Sequence, residues 1–136
     1  MGVKGRKYKN CNVDISNNLR NSGFTNASVE VSKILEHGAT VMVYNGDKDY
    51  ICNWEGGLEW TNQMDWDFKN SFNDKELQPC KYGEYKAHMN LCFVKFRDAG
   101  HLVPMDQPEL ALGMLKWFIS WTRALGNNEE IEMDAI

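Results

Sequence analysis

The chain has 136 residues and a mass of 15.7 kDa, with 43% hydrophobic and 25% charged residues, the balance of one folded domain. Its net charge of −4 and pI near 5.3, with 15 basic residues spread along the sequence, exclude a basic nucleic-acid surface. No apolar run approaches the ~20 residues of a bilayer span, residues 1–6 lack the apolar core of a signal peptide, and Arg6 breaks the myristoylation pattern, which leaves either a signal that lies upstream or a cytosolic protein.

Residues 1–27 are polar, rich in Asn and Gly, and nearly without periodicity; they end in Asn26-Ala27-Ser28, an N-glycosylation acceptor triplet centred on Asn26. Residues 28–37 place Val31, Ile34 and Leu35 at helical spacing, and Gly38 is a natural stop. Ala39 to Tyr44 is a continuous apolar run, which predicts a fully buried, parallel strand ended by a turn at Asn45-Gly46. Residues 55–64 predict a short helix, while 65–80 have no period and read as loop or insertion. Leu91 to Phe96 predicts a strand, with a hairpin partner before it from about residue 83. A loop follows over 99–104. Asp106-Gln107-Pro108-Glu109 then predicts a helix start, with Asp106 accepting from the Glu109 amide and Pro108 in the first turn. Leu110, Met114, Trp117, Phe118, Trp121 and Leu125 form the apolar stripe of that helix, and Gly126 is its stop. Residues 127–136 are an acidic tail expected to be mobile. Helices alternating with a few strands predict an α/β sheet covered on both faces, short for a complete domain.

In such sheets, sites lie beyond the carboxyl ends of the strands. Asp47 and Asp49 stand at one such end and His101 just past another. An acid and a histidine on neighbouring strand ends suggest the orienting and base members of a nucleophilic triad. The plainer reading of an aspartate after a strand, Asp49 included, is a turn-former or a helix cap, and Asp47 reads as a turn or network residue. His37 and His88 sit in polar surroundings and read as surface residues. The four cysteines, Cys11, Cys52, Cys80 and Cys92, have no CxxC spacing, which argues against a structural zinc site; with the acceptor triplet they lean toward a secretory protein.

VMVYNGDKDYICNWEGGLEW, followed by FRDAGHLVPMDQPELALGMLKWF, resembles the C-terminal part of the serine carboxypeptidases, with the carboxypeptidase Y group nearest. The resemblance runs from about Tyr8 to Trp121. It implies the C-terminal portion of an α/β-hydrolase fold, with few, mostly parallel strands and flanking helices, incomplete as a domain on its own. It implies that Asp49 and His101 are catalytic. Cys52 matches a free family cysteine beside the pocket for the residue before the cleaved bond, and Ile51 adjoins it, so this thiol lines a pocket and is not the nucleophile. Leu102 matches a residue of the leaving-residue pocket. Cys11 resembles a cysteine bonded to an earlier part of the chain, here a partner outside it. Cys80 and Cys92 have no such counterpart and could pair across a hairpin. No metal or organic cofactor is implied. The implied substrate is a peptide, and the implied compartment is a vacuole, a lysosome or the exterior.

Serine hydrolases of this fold run nucleophile, acid, histidine, so the serine must precede Asp49. Ser16, Ser22, Ser28 and Ser32 do, but none lies in a G-x-S-x-G elbow. The resemblance therefore implies a further N-terminal chain or segment that carries the serine, and a chain that is inactive alone. A two-chain enzyme's small chain, a truncated product and a piece of a longer protein all fit. Related acyltransferases and hydroxynitrile lyases keep the same Asp and His, and a non-catalytic binding or stabilising polypeptide is the remaining alternative.

Overall fold

A computed structural model describes residues 12–20 and 26–127, together with Gly5, Lys7, Lys9 and Met133. Cys11 lies outside the described residues, and so does the acidic tail apart from Asn127 and Met133.

Helix α1 (Val13–Asn18) was not legible in the sequence, because it is short and buries none of its residues. A side-chain cap defines it: Asn12 Oδ1 accepts from the amides of Asp14 at 3.1 Å and Ile15 at 3.4 Å. Helix α2 (Ser28–Glu36) turns Leu35 into the core, and Gly38, at φ +81°, ends it. The amides of Gly38 and Ala39 return to the carbonyls of Leu35 and Ile34, the paired closure that a left-handed residue permits.

Strand β1 (Val41–Gly46) follows, then α3 (Trp54–Gln63). The segment read as loop contains a short helix, α4 (Lys69–Asn73), and a short strand, β2 (Gln78–Cys80). Strands β3 (Gly83–His88) and β4 (Leu91–Phe96) form the expected hairpin. A single turn, α5 (Val103–Asp106), precedes the long helix α6 (Pro108–Gly126).

The sheet has the order β1-β4-β3-β2. Only β1 and β4 run parallel; β2–β3 and β3–β4 are antiparallel. The expectation of mostly parallel strands is thus corrected to a mixed sheet, since β2, β3 and β4 are joined by connections too short for a crossover. The expected fully buried strand is also corrected. β1 ends the described sheet, so Val41, Met42 and Val43 are half-buried and Tyr44 is exposed. Asn45 and Gly46 extend that strand instead of turning out of it.

β4 is the strand around which the core forms. Leu91 and Phe93 face one cluster with Leu35, Met64, Trp66 and Phe72. Cys92, Val94 and Phe96 face the other, built with Met114, Trp117 and Trp121 of α6 and with Met133. The period of two sends alternate residues to opposite faces. Asn90 joins the layers, its Nδ2 donating to the carbonyls of Leu35 at 2.9 Å and Ala39 at 2.8 Å.

Cys80 and Cys92 do not pair: both are buried free thiols. Cys80 ends β2 and Cys92 lies on β4, with β3 between them. Two ladder spacings separate such strands by about 10 Å, more than the ~7 Å that a disulfide bridges between Cα atoms. Burial raises the pKa of both thiols.

No described helix is long and apolar enough to cross a membrane. Helix α6 is nonetheless apolar on two sides: Ala111, Met114, Trp117 and Trp121 are buried, while Leu112, Leu115 and Ile119 are exposed. With the outer edge of β1, that second face favours association. Sedimentation of the 136-residue chain by itself is expected to give species heavier than the 15.7 kDa monomer. A clean monomer that unfolds cooperatively would refute this.

Candidate active site

The parallel ladder pairs Gly46 with Phe96, so β1 and β4 end level with each other. Asp49 lies three residues beyond the first end and His101 five beyond the second. The two loops can touch because Gly46 has no side chain. A Cβ there would overlap the carbonyls of Ala99 and Gly100. Main-chain bonds join the loops: the Asp47 amide donates to the Phe96 carbonyl at 2.8 Å and the Lys48 amide to the Ala99 carbonyl at 2.9 Å.

The result is a hydrogen bond between His101 Nδ1 and Asp49 Oδ2 at 2.9 Å. Its two ends differ sharply in exposure: the Asp49 side chain is 6% exposed and the His101 side chain 62%. The other carboxylate oxygen, Oδ1, accepts from the amides of Ile51 and Cys52, both at 3.0 Å. Asp49 therefore shapes its own loop while holding the imidazole. Asn45 steadies the far end of that loop, its Nδ2 donating to the Cys52 carbonyl at 2.9 Å. Asn53 then caps α3 by accepting from the Gly56 amide at 2.8 Å.

Burial pushes the Asp49 carboxyl upward, but the bonds from His101 and from the Cys52 and Ile51 amides outweigh it. The net pKa lies below the ordinary carboxylate range, so Asp49 is ionised at neutral pH. An ionised carboxylate only accepts, so Nδ1 must carry the proton. Nε2 of a neutral ring is then the acceptor, and it can take a proton from a hydroxyl. No described serine hydroxyl hydrogen-bonds to His101.

Of the other expected site residues, Ile51 and Cys52 follow Asp49 in its loop and Leu102 follows His101. Ile51, Cys52 and Leu102 are exposed, as are Tyr50 and Met105, giving the site an apolar rim. Asn26 is exposed, and its Oδ1 accepts from the Ser28 amide at 3.0 Å. Among the described residues, Asp49, Cys52 and His101 offer donor atoms within 4.8 Å of one another, near enough to converge on a metal ion. The oxygens of Asp49 are already engaged with amides and imidazole. His37 is exposed, and half-buried His88 packs its ring against Phe68 at 5.8 Å.

Sequence reasoning gave Asp47 as a turn or network residue without its partner, and missed the other groups that anchor the histidine loop. Lys48 Nζ pairs with Asp98 Oδ1 at 2.6 Å, and Asp47 Oδ1 accepts from the Ala99 amide at 3.3 Å. Asp106 was expected to cap α6, but that helix begins after Gln107 with no side-chain cap. Asp106 Oδ2 instead accepts from the Gly100 amide at 2.7 Å. No local spacing signals a bond that reaches backward across a loop.

A family model for serine carboxypeptidases matches residues 1–121. A carboxypeptidase Y homolog A of Chaetomium globosum is 40% identical over 127 residues, covering 86% of this chain and 23% of that protein. A vacuolar serine-type carboxypeptidase of Saccharomyces cerevisiae is 32% identical, covering 97% of this chain and 28% of that protein. The serine carboxypeptidase-like 49 protein of Arabidopsis thaliana is 37% identical, covering 85% of this chain and 23% of its own length. The chain thus spans about a quarter of the length of these curated relatives.

Two outcomes follow from the geometry. Gly46→Ala is expected to force the loops apart and cost about 1–3 kcal/mol in denaturant unfolding; unchanged stability would contradict the close approach. Asp49 has a folded pKa below its ordinary 3.8, so its contribution is complete above that value and is lost as pH falls through the lower folded one. Thermal midpoints followed into the acid range should fall more steeply for the wild type than for Asp49→Asn, and parallel curves would contradict this.

Proposed function

The chain belongs to the serine carboxypeptidase family, and from that premise we propose that it forms the C-terminal part of an α/β-hydrolase domain that removes C-terminal residues from peptides. One observation carries the reading: a buried, ionised carboxylate bonded at 2.9 Å to the Nδ1 of an exposed histidine, both at the carboxyl ends of parallel strands. The nucleophilic serine comes from an N-terminal chain or segment outside this sequence. Alone, the 136-residue chain is inactive.

In the complete enzyme, His101 Nε2 takes the serine proton as Oγ attacks the peptide carbonyl carbon. The imidazolium that forms is stabilised by Asp49 through the Nδ1 bond. It then protonates the departing amine as the C–N bond breaks, leaving an acyl-enzyme. Water attacks that ester, giving its proton to His101, which returns it to the serine. Ile51 and Cys52 line the pocket on one side of the cleaved bond and Leu102 the other. Their apolar, exposed side chains suit this role.

The secretory route, ending in a vacuole, a lysosome or the exterior, completes the proposal. The exposed Asn26 in its acceptor triplet and a relative named as vacuolar support it. Cys11 would then bond to the serine-bearing part.

The test uses the complete protein, with blocked dipeptides set against acyl-glucose esters. Dipeptide hydrolysis is expected. His101→Ala should lower kcat by about 10⁶-fold and Asp49→Asn by about 10⁴-fold. Preference for the acyl esters, or activity that survives His101→Ala, would refute it.

A further inference from the structure

The His101 imidazole is more than half exposed, so packing does little to fix it. Asp49 holds one ring nitrogen, and the main chain beneath must be fixed by other means. Each of the three residues before His101 is tied down. The Asp98 carbonyl accepts from Gln107 Nε2 at 3.2 Å. The Ala99 amide donates to Asp47 Oδ1 at 3.3 Å, and the Ala99 carbonyl accepts from the Lys48 amide. The Gly100 amide donates to Asp106 Oδ2 at 2.7 Å.

The last of these ties is the shortest and the nearest in sequence to His101. Its acceptor is a carboxylate, which makes it about twice as strong as a neutral bond. Asp106 is itself well placed to act as an anchor. It closes α5, where its amide donates to the Leu102 carbonyl at 3.1 Å, and α6 follows directly. Its Oδ2 lies 3.2 Å from where a Gly100 Cβ would stand, so the amide and the carboxylate meet across a gap that suits glycine. No step of the proposed reaction uses Asp106, and no helix cap does either.

We propose that Asp106 is a positioning residue: its carboxylate clamps the Gly100 amide and so sets the His101 main chain where Nδ1 meets Asp49. The inference rests on the reading of His101 as the proton-transfer group. Without the clamp, the 98–101 segment would wander and the imidazole would spend less time aligned between Asp49 and the serine. Leu102 stays tied through its carbonyl to the Met105 and Asp106 amides, which the substitution keeps, and substrate binding makes no use of the imidazole's alignment, so the defect falls on kcat and not on KM.

The experiment compares Asp106→Ala and Asp106→Asn in the complete protein by two readouts: the kinetics of dipeptide hydrolysis, and the downfield proton signal of His101 Nδ1–H. Asp106→Ala is expected to lower kcat by about ten- to a hundredfold with KM unchanged, and to broaden the signal. Asp106→Asn keeps an acceptor oxygen for Gly100 but not its charge, so both readouts should fall between wild type and Asp106→Ala. An unchanged kcat and signal in Asp106→Ala would overturn the clamp. So would an equal loss in Asp106→Asn, or a defect in KM alone. Should Asp106→Ala fail to fold, Asp106→Asn decides: a partly broadened signal supports the clamp, and a wild-type signal overturns it. If the wild type does not hydrolyse peptides, or His101→Ala changes nothing, the catalytic reading fails separately. The proton signal then judges the clamp alone.

Discussion

The ladder between β1 and β4 runs parallel from Val41↔Leu91 to Gly46↔Phe96, and it delivers two distant chain segments to one end of the sheet. Everything at the site depends on that alignment. A slip of one residue would send the side chains of β1 to the wrong faces and move Gly46 out from under the Ala99 and Gly100 carbonyls. Both hydrophobic clusters oppose the slip, because β4 fills one with Leu91 and Phe93 and the other with Cys92, Val94 and Phe96. The core thereby fixes the register, and the register fixes the distance between acid and base.

Burial divides the pair's work. Asp49 is nearly enclosed and takes three donors, so the fold itself holds its charge in place. His101 is mostly exposed, with its Nδ1 bonded to Asp49. In the proposed reaction, this arrangement would keep the orienting carboxylate in the folded core and leave the imidazole where a hydroxyl can reach it. Tyr50, Ile51, Leu102 and Met105 are exposed apolar residues on the same two loops and the turn that follows.

The sequence was most readable where one physical signal acted alone. The stripe of α6, the glycine stop of α2 and the β3–β4 hairpin followed from periodicity and turn chemistry. Asp49 and His101 were visible as an acid and a base at strand ends, and the motif resemblance singled them out. What escaped had no local period. Helix α1 buries nothing, α4 is five residues long, and β2 is three. The half-burial of β1 depends on its place at the edge of the described sheet, which its own apolar run cannot reveal. Asp106 was misread because the pattern of a helix cap and the pattern of a loop anchor are the same residue beside the same turn. Only the fold decides which amide its carboxylate meets.

The two oxygens of Asp49 serve different partners, and that restricts which side chain can occupy the position. Oδ1 faces two amide donors, while Oδ2 faces a ring N–H. Only a group with acceptors on both arms satisfies all three. A carboxamide has an acceptor on one arm and donors on the other, so either the loop or the ring must meet a donor with a donor. A hydroxyl is too short to reach both. Position 49 is therefore constrained twice over, by the valence of its acceptors as well as by its charge, and the loop's shape and the ring's tautomer cannot drift independently of each other.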